Sequence, residues 1–218
     1  MSSLKYFLKP KKLITDDDYE DLVESGVRNG NINVSGVSGL FYYENEIDEK
    51  REKSLIDFLD EGDGQKWKKI SDSKNSRKVQ HYGYLYNYKT GKTKEKGEPI
   101  PDEFEFLISI LSEKFGKKFN QVIVNNYEEG QGISAHTDVK EYGDMIGCYT
   151  IGSGATMTFS KGEKKCDLYV RSKSLYVMTG ESRYEWKHEM ASRKSDVVND
   201  IKVKRGRRIS ITFRYVPL

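Results

Sequence analysis

Hydrophobic residues in the second half of the chain come in short runs broken by turn residues, at 122–127, 146–151, 155–159, 168–170, 174–178 and 208–215. Their length and their Val, Ile, Tyr and Phe content predict β-strands. The first half has a different period. From Asp102 to Phe115 the apolar positions Phe104, Leu107, Ile108, Leu111 and Phe115 form one helical stripe, entered through Pro101 and closed by Gly116. Between Glu46 and Glu61, residues Ile47, Leu55, Phe58 and Leu59 keep helical spacing, with Asn45 as the expected N-cap and Gly62 as the stop. Earlier, Asp16-Asp17-Asp18 with Glu20 and Asp21 predicts the acidic first turn of a short helix near 16–25, followed by turn signals at Gly26, Asn29-Gly30-Asn31 and Gly36. Nothing alternates as a βαβ fold would. The pattern predicts an α+β architecture over 36–218, an antiparallel barrel or double sheet backed by helices, after an N-terminal extension over 1–35.

Composition narrows this only a little. A chain of 218 residues that is 36% hydrophobic and 33% charged, with 15 Tyr and 9 Phe, can bury one core and is not disordered throughout. It contains no apolar run of the roughly 18 residues a membrane helix needs. Met1 to Lys12 lacks the apolar stretch of a signal peptide, so an intracellular protein of cytoplasm or nucleus, with no membrane partner, is expected. Cys148 and Cys166 lack CxxC spacing and are expected to be reduced and structural.

Charge changes the picture more. Residues 66–97 carry ten Lys and Arg against Asp72 and Glu95, a local charge of +8 that leaves −5 for the rest of the chain. Trp67, Tyr82, Tyr84, Tyr86 and Tyr88 are interleaved with them. Cations that attract phosphates beside rings that stack on bases describe a nucleic-acid surface. The same composition also fits a solvated Lys-rich hairpin whose tyrosines pack on the domain beneath it.

The candidate chemistry lies further on. Of three histidines, His136 sits in Gly132-Ile133-Ser134-Ala135-His136-Thr137-Asp138 and His188 follows Glu185-Trp186-Lys187. If His136 to Asp138 is extended, both side chains share a face. A distant His188 would complete two imidazoles and a carboxylate, the set that leaves Fe(II) open positions for a bidentate cosubstrate and O₂. In Arg208-Ile209-Ser210-Ile211-Thr212-Phe213-Arg214, alternation gives one face Arg208, Ser210, Thr212 and Arg214. That face could continue the basic patch of Lys202, Lys204, Arg205 and Arg207. If it points inward, its guanidiniums need an anion, and a dicarboxylate such as 2-oxoglutarate would serve, beside Asn125 and Tyr127 from another strand.

Taken together, Asn125-Asn126-Tyr127, Gly130, His136-Thr137-Asp138, His188 and Arg208 to Arg214 resemble the AlkB family of Fe(II)/2-oxoglutarate dioxygenases over roughly 36–216. The resemblance implies a double-stranded β-helix, or jelly roll, with helices packed on one sheet. It implies iron on His136, Asp138 and His188, and 2-oxoglutarate on Asn125, Tyr127, Arg208 and Arg214. A nucleotide-recognition lid over roughly 66–97, including Gly83-Tyr84-Leu85-Tyr86, would cover a flipped base. Substrate contacts are expected from Tyr82, Tyr84, Arg183 and Trp186, with core packing the competing role for Trp186 and an ion pair for Arg183. Ser174 to Trp186 and Arg77 to Tyr84 look most like the branch that hydroxylates modified wobble uridines in tRNA. Arg77 stands where repair members place a stacking tryptophan, and Lys140 replaces an acidic residue. Nucleic acid, tRNA ahead of DNA, is therefore the expected partner, with no obligate protein partner. Oxidative demethylation of N-alkylated bases is the first alternative, and a protein hydroxylase or demethylase the second.

Overall fold

The computed structural model describes residues 13–15, 32–34, 36–61, 67–73, 76–87 and 95–217. The expected helix near 16–25, Gly62, Tyr88 and part of the 66–97 segment lie outside the described residues. Along the chain the strands are β1 (Leu13–Ile14), β2 (Ile32–Asn33), β3 (Leu40–Tyr43), β4 (Lys68–Lys69) and β5 (Lys78–Gly83). Next come β6 (Gln121–Tyr127), β7 (Ile133–His136), β8 (Met145–Gly152), β9 (Ala155–Lys161) and β10 (Lys164–Val170). The last five are β11 (Ser174–Thr179), β12 (Lys187–Met190), β13 (Ser195–Val198), β14 (Ile201–Lys204) and β15 (Arg208–Arg214). Helices are α1 (Glu49–Glu61), α2 (Glu105–Phe115) and the short α3 (Gly180–Tyr184).

Eight strands form one antiparallel sheet in the order β2-β3-β11-β8-β15-β6-β5-β4, and four form a second, β10-β9-β12-β7. The two layers are a jelly roll, with helices on one face, as the sequence predicts. Strand alternation explains the layering. Val122, Val124, Tyr149, Ile151, Leu175, Val177, Ile209, Ile211 and Phe213 turn to one face of the large sheet and cluster with Leu55 and Leu59 of α1 and Leu107 and Leu111 of α2. The opposite face turns Ile146, Cys148, Tyr176, Met178 and Tyr127 towards Met157, Phe159 and Met190 of the small sheet. Phe104, fully buried, lies edge-on to Tyr82, Phe58 and Phe213 at centroid distances of 5.5, 6.0 and 6.2 Å. Burying a side chain of that size contributes about 2–3 kcal/mol.

Helix boundaries differ in detail from the pattern. Asp48, not Asn45, caps α1: its carboxylate accepts the Arg51 N–H at 2.7 Å, while Asn45 takes a left-handed turn at φ 56°. The predicted helix 102–115 begins as a 3₁₀ turn, Asp102–Phe104, before α2, and ends at Gly116 with φ 64° as expected. At Gly147 a Cβ would come within 2.7 Å of Leu111, so the absence of a side chain lets α2 lie flat on β8. Among the described residues both cysteines are free and no helix is long and apolar enough to cross a membrane.

Candidate active site

A cavity of about 380 Å³ is lined by residues of both sheets. Sheet register decides what lines it. Pairing of β15 with β6 sets Arg208 opposite Tyr127, Ser210 opposite Asn125 and Thr212 opposite Ile123, and all six face the cavity. On the small sheet, β12 sets His188 opposite His136 of β7, their ring centroids 4.3 Å apart. Asp138 follows just past β7, its Oδ2 3.7 Å from His188 Nε2. Gly132 makes the close approach possible: a Cβ there would meet the Met190 carbonyl oxygen at 2.2 Å.

The chemistry of these groups suits a cation. Asp138 Oδ2 is buried with no hydrogen-bond partner among the described residues, beside an imidazole nitrogen, and a cation between the two would satisfy it. His136 Nδ1 lies 2.8 Å from the Ser134 carbonyl oxygen, which fixes Nδ1 as the donor and leaves the Nε2 lone pair for a metal. Burial disfavours the charged form of both Asp138 and His188. For Asp138 the guanidinium of Arg214, then the imidazoles and Arg183, outweigh burial and hold the carboxyl at about 2. Burial wins at His188, which falls to about 4, so the ring is neutral and able to ligate near pH 7. The three groups are adjacent without being closed on one point, and among the described residues no three such side chains stand at the geometry of a bound metal. Asp138 Oδ1 instead accepts from Arg214 Nη2 at 2.5 Å.

An anion site adjoins it. Arg208 is 4% exposed, donates to Thr150 Oγ1 at 2.9 Å and lies over the Tyr127 ring at 5.7 Å. It has no carboxylate partner among the described residues, and its buried Nε has no acceptor there. A guanidinium so placed is complementary to a carboxylate entering the cavity.

The four residues expected to touch substrate are placed elsewhere. Pairing with Val122 turns Tyr82 to the helix face, where it is 2% exposed and its hydroxyl donates to Gln80 Oε1 at 2.9 Å. Tyr84 does not line the cavity; it packs with Tyr142 and Val216. Trp186, 3% exposed, belongs to the apolar cluster between the sheets. Arg183 is spent on backbone: it donates to the carbonyl oxygens of Gly143, Asp138 and Val139, clamping the loop that carries Asp138. The capping box of α3, Thr179 with Ser182, aims it inward. In their place the cavity is lined by Arg77, Tyr86 and Tyr142. Arg77 Nε donates to Asn125 Oδ1 at 2.9 Å, and its guanidinium lies 5.9 Å from the Tyr127 ring. Alternation through β5 was the available signal, because Val79 opposite Asn125 puts Arg77 on the cavity face and Tyr82 off it.

Residues 59–214 match the family model of the 2OG-Fe(II) oxygenase superfamily. The chain is 37% identical over 164 residues to uncharacterised protein L905 of Acanthamoeba polyphaga mimivirus, covering 68% of this chain and 76% of that protein. It is 34% identical over 208 residues to the tRNA (carboxymethyluridine(34)-5-O)-methyltransferase ALKBH8 of Macaca fascicularis, covering 82% of this chain but spanning only 30% of that protein. Among solved structures, OsALKBH1 superposes with a TM-score of 0.63 at 14% identity, over 81% of this chain and 96% of that one. This last likeness bears on the fold.

Proposed function

Because the chain belongs to the 2OG-Fe(II) oxygenase superfamily, we propose that it hydroxylates a modified nucleobase, with the side chain of a tRNA wobble uridine as substrate. Such enzymes require Fe(II), 2-oxoglutarate and O₂, and the chemistry these supply when bound is the insertion of one oxygen atom into a C–H bond as 2-oxoglutarate becomes succinate and CO₂. His136, Asp138 and His188 would hold the iron, with His136 kept in the ligating tautomer by Ser134. Arg208, Tyr127, Asn125 and Arg214 would bind and orient 2-oxoglutarate, Arg214 lying also on Asp138. Arg77, Tyr86 and Tyr142, which also line the cavity, would face the substrate. Arg183 keeps Asp138 in place through three backbone carbonyls.

The observation that carries the nucleic-acid reading is Arg77 in the cavity wall, itself one of the ten cations of the +8 segment at 66–97. The tRNA choice draws on the likeness to ALKBH8. Product chemistry separates the choices. Hydroxylation of a carbon-linked methylene leaves a stable alcohol, whereas hydroxylation of an N-methyl group gives a hemiaminal that loses formaldehyde. Incubation with Fe(II), 2-oxoglutarate, total tRNA and methylated oligonucleotides, then nucleoside mass spectrometry against His136→Ala, tests this. Gain of one oxygen on a tRNA uridine is expected. Loss of methyl with formaldehyde would make the enzyme a demethylase, and succinate formation indifferent to all nucleic acids would favour a protein substrate.

A further inference from the structure

A second basic element stands outside the lid segment. Residues 193–207 carry Arg193, Lys194, Lys202, Lys204, Arg205 and Arg207 against Asp196 and Asp200. Three of these cations are used internally. Arg205 grips the buried Asp196 through Nε and Nη2 at 2.5 and 2.8 Å and ties down the Ala191 carbonyl; Arg193 joins the same carboxylate, and Arg207 pairs with Asp60. The grip ties the end of β14 to β13 and to the chain before it. Register then sorts its faces: Asp196 and Val203 turn inward, while Val197 opposite Lys202 and Ser195 opposite Lys204 turn outward. Lys194, Lys202 and Lys204 are exposed, and Val197 between them is 58% exposed. Lys204 approaches Glu129 only to 3.9 Å.

The hairpin follows directly on a strand of the active site. Strand β12, which carries His188, leads directly into it, and Met190 pairs with the cavity residue Ile133. Loop 128–132 touches both basic elements: Gln131 donates to the Ser76 carbonyl next to Arg77, Glu129 faces Lys204, and Gly130 lies beside the stem of Lys194. One loop therefore separates the 66–97 segment from the hairpin. We propose that the outward face of the β13–β14 hairpin, with Lys202 and Lys204, together with the exposed Lys194 that precedes β13, binds the phosphate backbone of the nucleic-acid substrate, so that the strand is held on both sides of the cavity. This rests on the nucleobase reading above. Lys202 and Lys204, two apart on β14, with Lys194 just before β13, present exposed ammonium groups that suit a polyanion whose charges repeat along a line.

The test is fluorescence anisotropy of a labelled anticodon stem-loop RNA against KCl concentration. It uses the full chain, the pair Lys194→Glu/Lys202→Glu, the milder pair Lys194→Gln/Lys202→Gln, and the lid pair Lys68→Glu/Lys69→Glu. Both hairpin variants should bind more weakly, the charge reversal by about tenfold or more at low salt, with a log K against log salt slope shallower by about one per lysine. Thermal midpoints equal to that of the unaltered chain accompany this result, since the replaced side chains are exposed. Unchanged affinity and slope in both hairpin pairs, while the lid pair loses both, overturns the hairpin surface and leaves the nucleobase reading standing. Absence of salt-dependent binding by the unaltered chain overturns both.

Discussion

Residue identity matters here less than the face it is turned to. Tyr82 and Arg77 lie on the same stretch of chain, yet one supports α1 and α2 and the other lines the cavity. Tyr82→Phe should leave kcat/KM unaltered and lower stability by about 1 kcal/mol in urea unfolding, the net worth of its hydrogen bond to Gln80. Arg77→Ala should lower kcat/KM for the nucleic-acid substrate by roughly tenfold to a hundredfold in steady-state assays, the scale of a lost charge-assisted hydrogen bond. That Asn125, Tyr127, Arg208 and Arg214 line one cavity was legible in the sequence because β6 and β15 are long, central and strictly alternating. Tyr82, Tyr84 and Trp186 were not, because aromatic content does not say which face of a strand is covered; the partner strand's register does. Arg183 was misread for another reason. Its direction is set by the cap of a five-residue helix with too few apolar positions to show a period.

Elements were read best where they are longest. All six predicted strands and both predicted helices within the described residues are present, while four-residue strands such as β3, β7, β12, β13 and β14 carry too little pattern to announce themselves. The β13–β14 hairpin depends instead on one buried charge pair. Burial raises the Asp196 carboxyl, and Arg205, Arg193 and the Thr156 N–H more than offset this, so its folded-state pKa lies below the ordinary carboxylate value. A carboxyl depressed in this way stabilises the fold above its unfolded pKa of about 3.9 and loses that contribution as pH falls through the folded value. Urea midpoints should therefore drop below about pH 4, and part of that drop should vanish in Asp196→Asn. The variant itself should be less stable by about 3–5 kcal/mol at pH 7, since Arg205 is left buried without its anion.

At the scale of the whole molecule, the large sheet and its helices form a platform to which the four-stranded sheet brings two of its ligand candidates from separate strands. A divalent ion joining His136, Asp138 and His188 binds only the folded chain. Saturating Mn(II) at about a hundred times its Kd should stabilise the protein by about 2.7 kcal/mol, read as a rise in thermal midpoint that disappears in His136→Ala. Strand β7 is the edge of its sheet, four residues long, and its register with β12 is broken between His188 and Met190. The ion would thus also fasten a weak margin of the molecule. Stripped of metal by a chelator, the chain should be nicked by a dilute protease first within about 128–142, and iron supply would then govern how long the protein survives as well as how fast it works.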